Sequence, residues 1–352
     1  RDTSLRTMGL QHAVVVLVLL VNSASSVRPS EGCGQKNSLT TGSLFQHDDV
    51  SDGINTDRTF VEYIPTSYDK DTPMPVMIYF HGQYGNAMSD AESCKYTSVG
   101  EENGFVSLYP QGLGKAKGEE VNATSANCGT GWNVGAMAHD SNTCDDSAYS
   151  CCYASCKSEG ICTGDGGKTA ACGWTTCYDD ERFVANMLAS VESELCIDLD
   201  AVFVTGGSNG GMMTHNMYSV MPETFRAVMP VFGLPLIGHI DVPTELRNTS
   251  ILLLHDRSDT VIPVDGGWAD GWQYESADDT LATWAELHGC ASKQTATTTP
   301  YDGGNVNLAC TEYASCASGH TVMKCMYDGH HGSWFANEEK LTWWFFSGAM
   351  LA

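Results

Sequence analysis

Basic residues are scarce in this chain. Eighteen lysines and arginines stand against 43 aspartates and glutamates, which gives a formal net charge of −25. A surface of that sign repels the phosphate backbone of nucleic acids and the anionic face of a membrane. The composition therefore predicts no nucleic-acid partner, and no stable membrane association once an N-terminal leader is removed.

Long apolar runs are also scarce. Residues 13–21 form one, but it is too short to span a bilayer, and the small residues Ser23, Ala24 and Ser25 follow it. This arrangement is typical of a secretory signal peptide, which we assign to residues 1–26, with Met8 as the expected true start. Residues 27–352 then form a single domain, and we expect the mature protein to be secreted and extracellular.

The cysteine content agrees with export. There are 15 cysteines, and the stretch 144–177 is dense in them. In a secreted chain such density indicates disulfides, whereas a zinc site would need paired C-x-x-C knuckles, which the sequence lacks. We predict no metal and no cofactor. Because 15 is odd, at least one thiol is free or bonds to another molecule.

Two Asn-x-Ser/Thr sequons suit an extracellular protein. They begin at Asn122 and Asn248, and each predicts a glycosylation site on the surface.

Apolar runs and amphipathic stretches alternate along most of the chain. The runs that predict buried strands cover residues 76–80, 105–110, 201–205, 226–232, 251–256 and 322–327; the stretches that predict helices cover 179–195, 211–220, 276–289 and 337–346. This alternation favours a doubly wound, mainly parallel α/β sheet. Residues 28–60 look polar and irregular, and residues 113–178 look like a disulfide-held excursion from the core.

A glycine-rich turn, TGGSNGG, follows one predicted strand and precedes a helix. Its residues 206–210 match G-x-S-x-G, which places Ser208 where a nucleophile would face the N–H groups of a helix start. The backbone N–H of Asn209 is then a candidate donor to an oxyanion. The plainer alternative is a Gly-Ser loop with no chemistry.

A serine nucleophile needs a base and a carboxylate that orients the base. Asp256 and Asp259 follow the predicted strand 251–256, and we favour Asp259 because the apolar residues after it can pack its loop down. His330 and His331 lie in a glycine-rich loop after the last predicted strand. The residue pattern alone leaves open which of the two is the base.

A second oxyanion donor should come from a loop after an early strand. The turn at His81-Gly82 presents the N–H of Gln83 or, as the alternative, of Tyr84. Aromatic residues that could line an ester-binding cleft are Tyr84, Trp132, Trp268, Trp272 and Trp334, although a core or structural role is favoured for each of them.

Taken in order, the motifs YFHGQYGNA, GWN, YDDERFV, VFVTGGSNGGMMTH, LHDRSDTVIPVDGG, WAELHGC and KCMYDGHHGSW resemble a known group. The chain resembles the secreted feruloyl esterase and polyhydroxybutyrate depolymerase-like α/β-hydrolases, which are serine esterases similar to carbohydrate esterase family 1. The resemblance implies an α/β-hydrolase fold with a disulfide-rich insertion, and it gives Ser208 and Asp259 the roles of nucleophile and acid.

The resemblance also bears on the base and on one disulfide. Counting from Tyr327, the family pattern places the base at His331, although Trp334 lies one residue farther along than in that pattern, so His330 remains the alternative. Cys290 and Cys325 match cysteines that the resemblance implies are paired.

The implied activity is hydrolysis of a carboxylic ester through an acyl-enzyme. The expected substrate is a feruloyl or related cell-wall polysaccharide ester. The alternatives are a polyhydroxybutyrate or other short polyester, a peptide amide, and a catalytically inactive secreted binding protein on a hydrolase scaffold.

Overall fold

A computed structural model describes most of the predicted domain. The described residues are 27–35, 40–55, 57–114, 129–135, 153–159, 175–238, 249–301, 304–317 and 319–351. The predicted signal peptide (1–26), both sequon asparagines (Asn122 and Asn248) and much of the excursion 113–178 lie outside them. Within these ranges no helix has both the length and the apolar character needed to cross a bilayer.

Strands and helices alternate through the described residues. The strands are β1 (Leu44–Val50), β2 (Arg58–Tyr63), β3 (Met74–Phe80), β4 (Val106–Pro110), β5 (Ile197–Gly207), β6 (Ala227–Val231), β7 (Ser250–Asp256), β8 (Gly267–Ala269), β9 (Trp272–Tyr274), β10 (Gln294–Thr297), β11 (Ala309–Tyr313) and β12 (Val322–Tyr327). The helices are α1 (Ala87–Ser93), α2 (Tyr96–Asn103), α3 (Ala154–Ser158), α4 (Asp180–Glu194), α5 (Asn209–Val220), α6 (Ala277–Leu287) and α7 (Glu338–Leu351).

A ten-stranded sheet carries the fold, in the order β1-β2-β4-β3-β5-β6-β7-β12-β11-β10. Its central strands, β4 through β12 in that order, pair in parallel. The outer strands β1 and β2 on one side, and β11 and β10 on the other, pair antiparallel. The prediction of a mainly parallel sheet is confirmed.

Helices cover both faces of the sheet, as a doubly wound fold requires. Side chains of α4, α5 and α6 share one buried apolar cluster, and those of α1, α2 and α7 share the other. Helix α4 begins where its sequence predicts, because the Asp179 carboxylate accepts a hydrogen bond from the backbone N–H of Arg182 at 3.0 Å.

The prediction that residues 28–60 are irregular is wrong. They contain β1 and the start of β2. Most of β1 is half-buried or exposed at the edge of the sheet, so its polar sequence, LFQHDDV, lacks the apolar run by which the central strands were found.

Four disulfides join the described residues: Cys33–Cys196, Cys156–Cys177, Cys290–Cys316 and Cys310–Cys325. The predicted Cys290–Cys325 bridge is therefore wrong. Cys325 on β12 lies directly opposite Cys310 on β11, with 4.1 Å between their Cα atoms, so the register of the hairpin decides its partner. Cys94 is a free thiol, as the odd number of cysteines allows.

Candidate active site

Ser208 lies on a strained turn between β5 and α5. Its φ of 57° and ψ of −123° are a conformation that a residue with a side chain rarely adopts. The flanking glycines permit the turn, because a Cβ on Gly206 would come within 2.6 Å of the Phe80 carbonyl oxygen, and one on Gly210 would collide with the same atom. The local sequence therefore holds the Ser208 hydroxyl at the carboxyl end of the sheet.

Hydrogen bonds join Ser208, His331 and Asp259. The Ser208 Oγ lies 2.8 Å from His331 Nε2, and His331 Nδ1 lies 2.7 Å from Asp259 Oδ2. These residues follow β5, β12 and β7, whose carboxyl ends lie near one another in the sheet. His330 is exposed, and its Nδ1 contacts the carbonyl oxygen of its neighbour at 3.1 Å.

The Asp259 carboxylate is buried and held by several donors. Its Oδ1 accepts the backbone N–H groups of Val261 and Ile262, each at 2.8 Å, while Oδ2 faces the His331 imidazole. Burial alone would raise the pKa of Asp259, but the hydrogen bond and charge of His331 and the Ile262 N–H together lower it below the ordinary value. An ionised carboxylate here orients the imidazole with Nδ1 as the donor and Nε2 facing the serine.

Asp256, the other acid considered, lies beside this group without joining it. Burial, and next the charge of Asp259, raise the pKa of Asp256 to about 6. Donor atoms of His255, Asp256 and Asp259 lie within 4.8 Å of one another, so these side chains could hold a metal ion. Both oxygens of Asp259 already accept hydrogen bonds, and a metal would therefore compete with His331 for this carboxylate.

The loop after β3 lies against the nucleophile turn. A Cβ on Gly82 would lie 3.5 Å from the Ser208 Cβ. The Tyr84 N–H donates to the Thr130 carbonyl oxygen at 2.8 Å, so this alternative donor is already engaged. That leaves the Gln83 N–H, for which the described residues supply no acceptor, as the candidate donor alongside the N–H of Asn209 at the start of α5.

The imidazole of His81, to which the sequence analysis gave no role, fixes the shape of this loop. Its Nε2 accepts the Gly112 N–H at 2.9 Å, so its Nδ1 carries the proton and donates to the Gly82 carbonyl oxygen at 2.7 Å. Burial lowers the pKa of His81 to about 4, which keeps the ring neutral. Its place at the end of a buried strand, next to a glycine, is the pattern that could have pointed to this role.

The aromatic residues proposed for a cleft divide into buried and exposed. Trp132 and Trp272 are buried, so they have the core role that was favoured for them, and the cleft role offered for Trp132 and Trp272 is wrong. Trp334 is 44% exposed and packs edge-to-face on Phe232, which also contacts the His331 ring. Tyr84 and Trp268 are exposed as well, and their part in a cleft stays a prediction.

Curated proteins with similar sequences are fungal esterases. Feruloyl esterase C of Emericella nidulans is 31% identical over 186 residues, a match that spans 50% of this chain and 61% of that protein. Probable acetylxylan esterase A of Aspergillus fumigatus is 26% identical, over 63% of this chain and 46% of that protein. The chain thus spans less than two thirds of the length of either relative. No protein-family model matches the chain.

Among solved structures, an acetyl xylan esterase from Aspergillus awamori has a similar fold. The TM-score is 0.54 at 18% sequence identity, with 88% of this chain and 100% of that chain covered. The sequence matches confirm the resemblance to the feruloyl esterase group that the motifs indicate, and the chain has an α/β-hydrolase fold.

Proposed function

We propose that this protein is a secreted serine carboxylic-ester hydrolase. The observation that carries the proposal is the chain of short hydrogen bonds from Ser208 through His331 to Asp259, built on a strained turn at the carboxyl end of the sheet. An adjacent base and an oriented imidazole are what a serine hydroxyl needs in order to become nucleophilic at neutral pH. The fungal esterase relatives support the same reaction class.

Acylation begins when Ser208 Oγ attacks the ester carbonyl carbon and its proton passes to His331 Nε2. Asp259 stabilises the imidazolium through the hydrogen bond at Nδ1. The carbonyl oxygen becomes an oxyanion that the N–H groups of Gln83 and Asn209 stabilise. Collapse of this intermediate breaks the bond to the alcohol, which leaves with the proton from His331.

Deacylation repeats these steps with water. His331 accepts a proton from the water as its oxygen attacks the acyl-serine carbonyl, and it then returns that proton to Ser208 Oγ. The products are the free carboxylic acid and the restored serine, so ester and water balance acid and alcohol. No step uses a cofactor.

The proposed substrate is a feruloyl or related ester on a cell-wall polysaccharide. The names of the relatives, feruloyl esterase C and acetylxylan esterase A, support that class of ester. The exposed Trp334, whose indole lies next to Gly207 of the nucleophile turn, offers a flat apolar surface for an aromatic acyl group or a sugar ring. The four disulfides agree with an extracellular site of action.

Labelling with a fluorophosphonate probe tests the nucleophile. We expect the wild-type chain to be labelled, and Ser208→Ala to lose both the label and at least about 10³-fold of kcat on an ester substrate. Ser193→Ala, on an exposed position of α4, is the matched control and should behave as wild type. A folded wild-type protein that resists the probe would instead favour a catalytically inactive binding protein.

The same preparations identify the substrate class. Methyl ferulate, p-nitrophenyl acetate, a short polyhydroxybutyrate oligomer and a peptide amide should be assayed side by side. We expect the highest kcat/KM on methyl ferulate. A preference for the polyester oligomer or for the amide would contradict the proposed substrate while leaving the nucleophile assignment intact.

A further inference from the structure

We propose that the cysteine-rich excursion holds the oxyanion loop in its catalytic geometry, with Tyr153 as the positioning residue. The inference rests on the proposed function, because it assigns a role around the same serine. It concerns residues 129–133, 153–159 and 175–177, the described parts of the excursion that lie behind the loop 81–85.

The Tyr153 hydroxyl connects the excursion to the oxyanion loop. The side chain is almost fully buried, and its hydroxyl donates to the Gly129 carbonyl oxygen at 2.8 Å. The same oxygen accepts the Gln83 side-chain amide at 2.6 Å. The residue that offers the candidate oxyanion N–H is thus anchored by its own side chain to the excursion.

Backbone contacts continue the attachment along the loop. The Tyr84 N–H donates to the Thr130 carbonyl oxygen at 2.8 Å, and the Thr130 hydroxyl donates to the Gly85 carbonyl oxygen at 2.6 Å. Residues 129–130 therefore lie along the loop 83–85 and bond to it from side chain and backbone alike. Engagement of the Tyr84 N–H fixes the peptide plane next to the one that presents Gln83.

Trp132, in the same segment as Gly129 and Thr130, forms hydrogen bonds to the residue after the nucleophile and to the start of the oxyanion loop. Its backbone N–H donates to the Asn209 side-chain oxygen at 2.8 Å, and its indole N–H donates to the His81 carbonyl oxygen at 2.8 Å. The next residue back, Gly131, lies against the Gln83 side chain, because a Cβ on Gly131 would come within 2.5 Å of Gln83 Oε1. One short stretch of the excursion thereby contacts both residues proposed to supply the oxyanion N–H groups. The distance between those two donors depends on that stretch.

A disulfide completes the support behind Tyr153. Helix α3 follows Tyr153 directly, and Cys156 in that helix bonds to Cys177. The neighbouring Thr176 N–H donates to the Trp132 carbonyl oxygen at 3.1 Å. Tyr153, the disulfide and Trp132 therefore form a continuous connection from one side of the oxyanion loop to the other.

The positioning role of Tyr153 predicts a specific effect on kcat. Loss of one oxyanion donor typically costs about 10²–10³-fold in kcat, so a donor that is displaced but still present should cost less. Removal of the Tyr153 hydroxyl should lower kcat by about 10–100-fold and leave KM almost unchanged, because the oxyanion exists only in the transition state. A residue that merely fills the core would change stability instead.

The test compares Tyr153→Phe with Tyr68→Phe. The Tyr68 hydroxyl also bonds within the chain, accepting the Cys196 N–H at 2.7 Å, but it lies away from the nucleophile turn. We expect Tyr153→Phe to lower kcat and Tyr68→Phe to leave it unchanged. A trifluoromethyl ketone forms an oxyanion on the serine, so its binding should weaken in Tyr153→Phe by a similar factor. Gln83→Met removes the other half of the anchor, keeps the backbone N–H and should give the same loss.

Hydrogen exchange provides a readout that does not depend on turnover. The peptide spanning residues 81–86 should exchange its amide protons faster in Tyr153→Phe than in wild type or Tyr68→Phe. Unchanged exchange would overturn the proposal whether or not the protein is an esterase. Faster exchange with wild-type kcat would overturn the catalytic part. A wild-type chain that fluorophosphonate does not label would count against the proposed function separately.

Discussion

At the scale of single residues, the site depends on which nitrogen of one imidazole carries a proton. Asp259 accepts from Nδ1 of His331, so Nε2 is left with a lone pair toward Ser208. The lowered pKa of Asp259 keeps the acceptor ionised, and the strained backbone at Ser208 keeps its hydroxyl within 2.8 Å of the base. The Asp259 carboxylate therefore fixes the tautomer of His331, and that tautomer leaves Nε2 free to accept the Ser208 proton.

The adjacent histidines give a direct test of this assignment. His331→Ala should lower kcat by about 10⁴-fold or more, because the nucleophile loses its base. His330→Ala, a matched substitution one residue away, should leave kcat nearly unchanged, since that ring is exposed and its Nδ1 contacts a carbonyl oxygen instead of the serine. Steady-state kinetics on p-nitrophenyl acetate compares the kcat values of the two variants. Comparable losses of kcat in both would contradict the assignment of His331 as the base.

The positions of Ser208 and Asp259 could be predicted because each stands in a short motif at a strand end. The same reasoning located the histidine pair, but the choice of His331 over His330 came from the family resemblance. The roles of Trp132 and His81 could not be predicted. Whether an aromatic or imidazole ring faces solvent depends on what packs over it, and in Trp132 that includes Phe80 and His81, distant in the sequence. Contacts of this kind cannot be predicted from the residues next to Trp132 in the sequence.

At the scale of elements, an unbroken apolar run decides which strands can be predicted from the sequence. The central parallel strands are covered by helices on both faces, so each reads as an apolar run, and all of them were predicted. The outer strands β1, β10 and β11 are largely half-buried or exposed, and their polar residues hide them. Strand β2 is mostly buried but was missed as well, because Arg58 and Glu62 interrupt its apolar residues. The outer antiparallel strands were therefore missed, whereas the central parallel strands that carry the candidate site were predicted.

Strand register likewise decides the disulfides near the C-terminus. Cys310 and Cys325 face each other across β11 and β12, and Cys290 meets Cys316 just after α6. Peptide mapping under non-reducing conditions should recover the pairs 290–316 and 310–325. Recovery of a peptide that links 290 to 325 would contradict the hairpin register, since Cys325 cannot bond to two partners.

At the scale of the whole molecule, this acidic chain buries several of its carboxyl groups. Arg58 is fully buried and forms ion pairs with Asp52 and Asp180, while its guanidinium lies 4.0 Å from the centre of the Phe183 ring. These contacts join the N-terminal strands to the start of α4. Glu338, at the start of α7, is also buried, and among the described residues no lysine or arginine forms an ion pair with it, although Lys95 lies nearby.

Glu338 should therefore make the stability of the fold depend on pH. Burial raises the pKa of Glu338 from 4.5 to about 7, despite a hydrogen bond from the Tyr96 hydroxyl at 2.7 Å that favours the ionised form. Well below pH 4.5 the carboxyl is protonated in both the native and the unfolded state, so it does not lower the free energy of unfolding there. Between those pKa values the unfolded chain ionises first, so the free energy of unfolding falls as pH rises, by at most about 3 kcal/mol.

Urea unfolding of the disulfide-bonded protein at a series of pH values measures this loss. Glu338→Gln keeps an oxygen for the Tyr96 hydroxyl but cannot ionise, so its free energy of unfolding should fall less than that of wild type over the same interval. Tyr96→Phe should have the opposite effect, because removal of a donor to the carboxylate raises the pKa further and extends the loss to higher pH. Parallel stability curves for wild type and Glu338→Gln would show that the buried carboxyl does not titrate in this range.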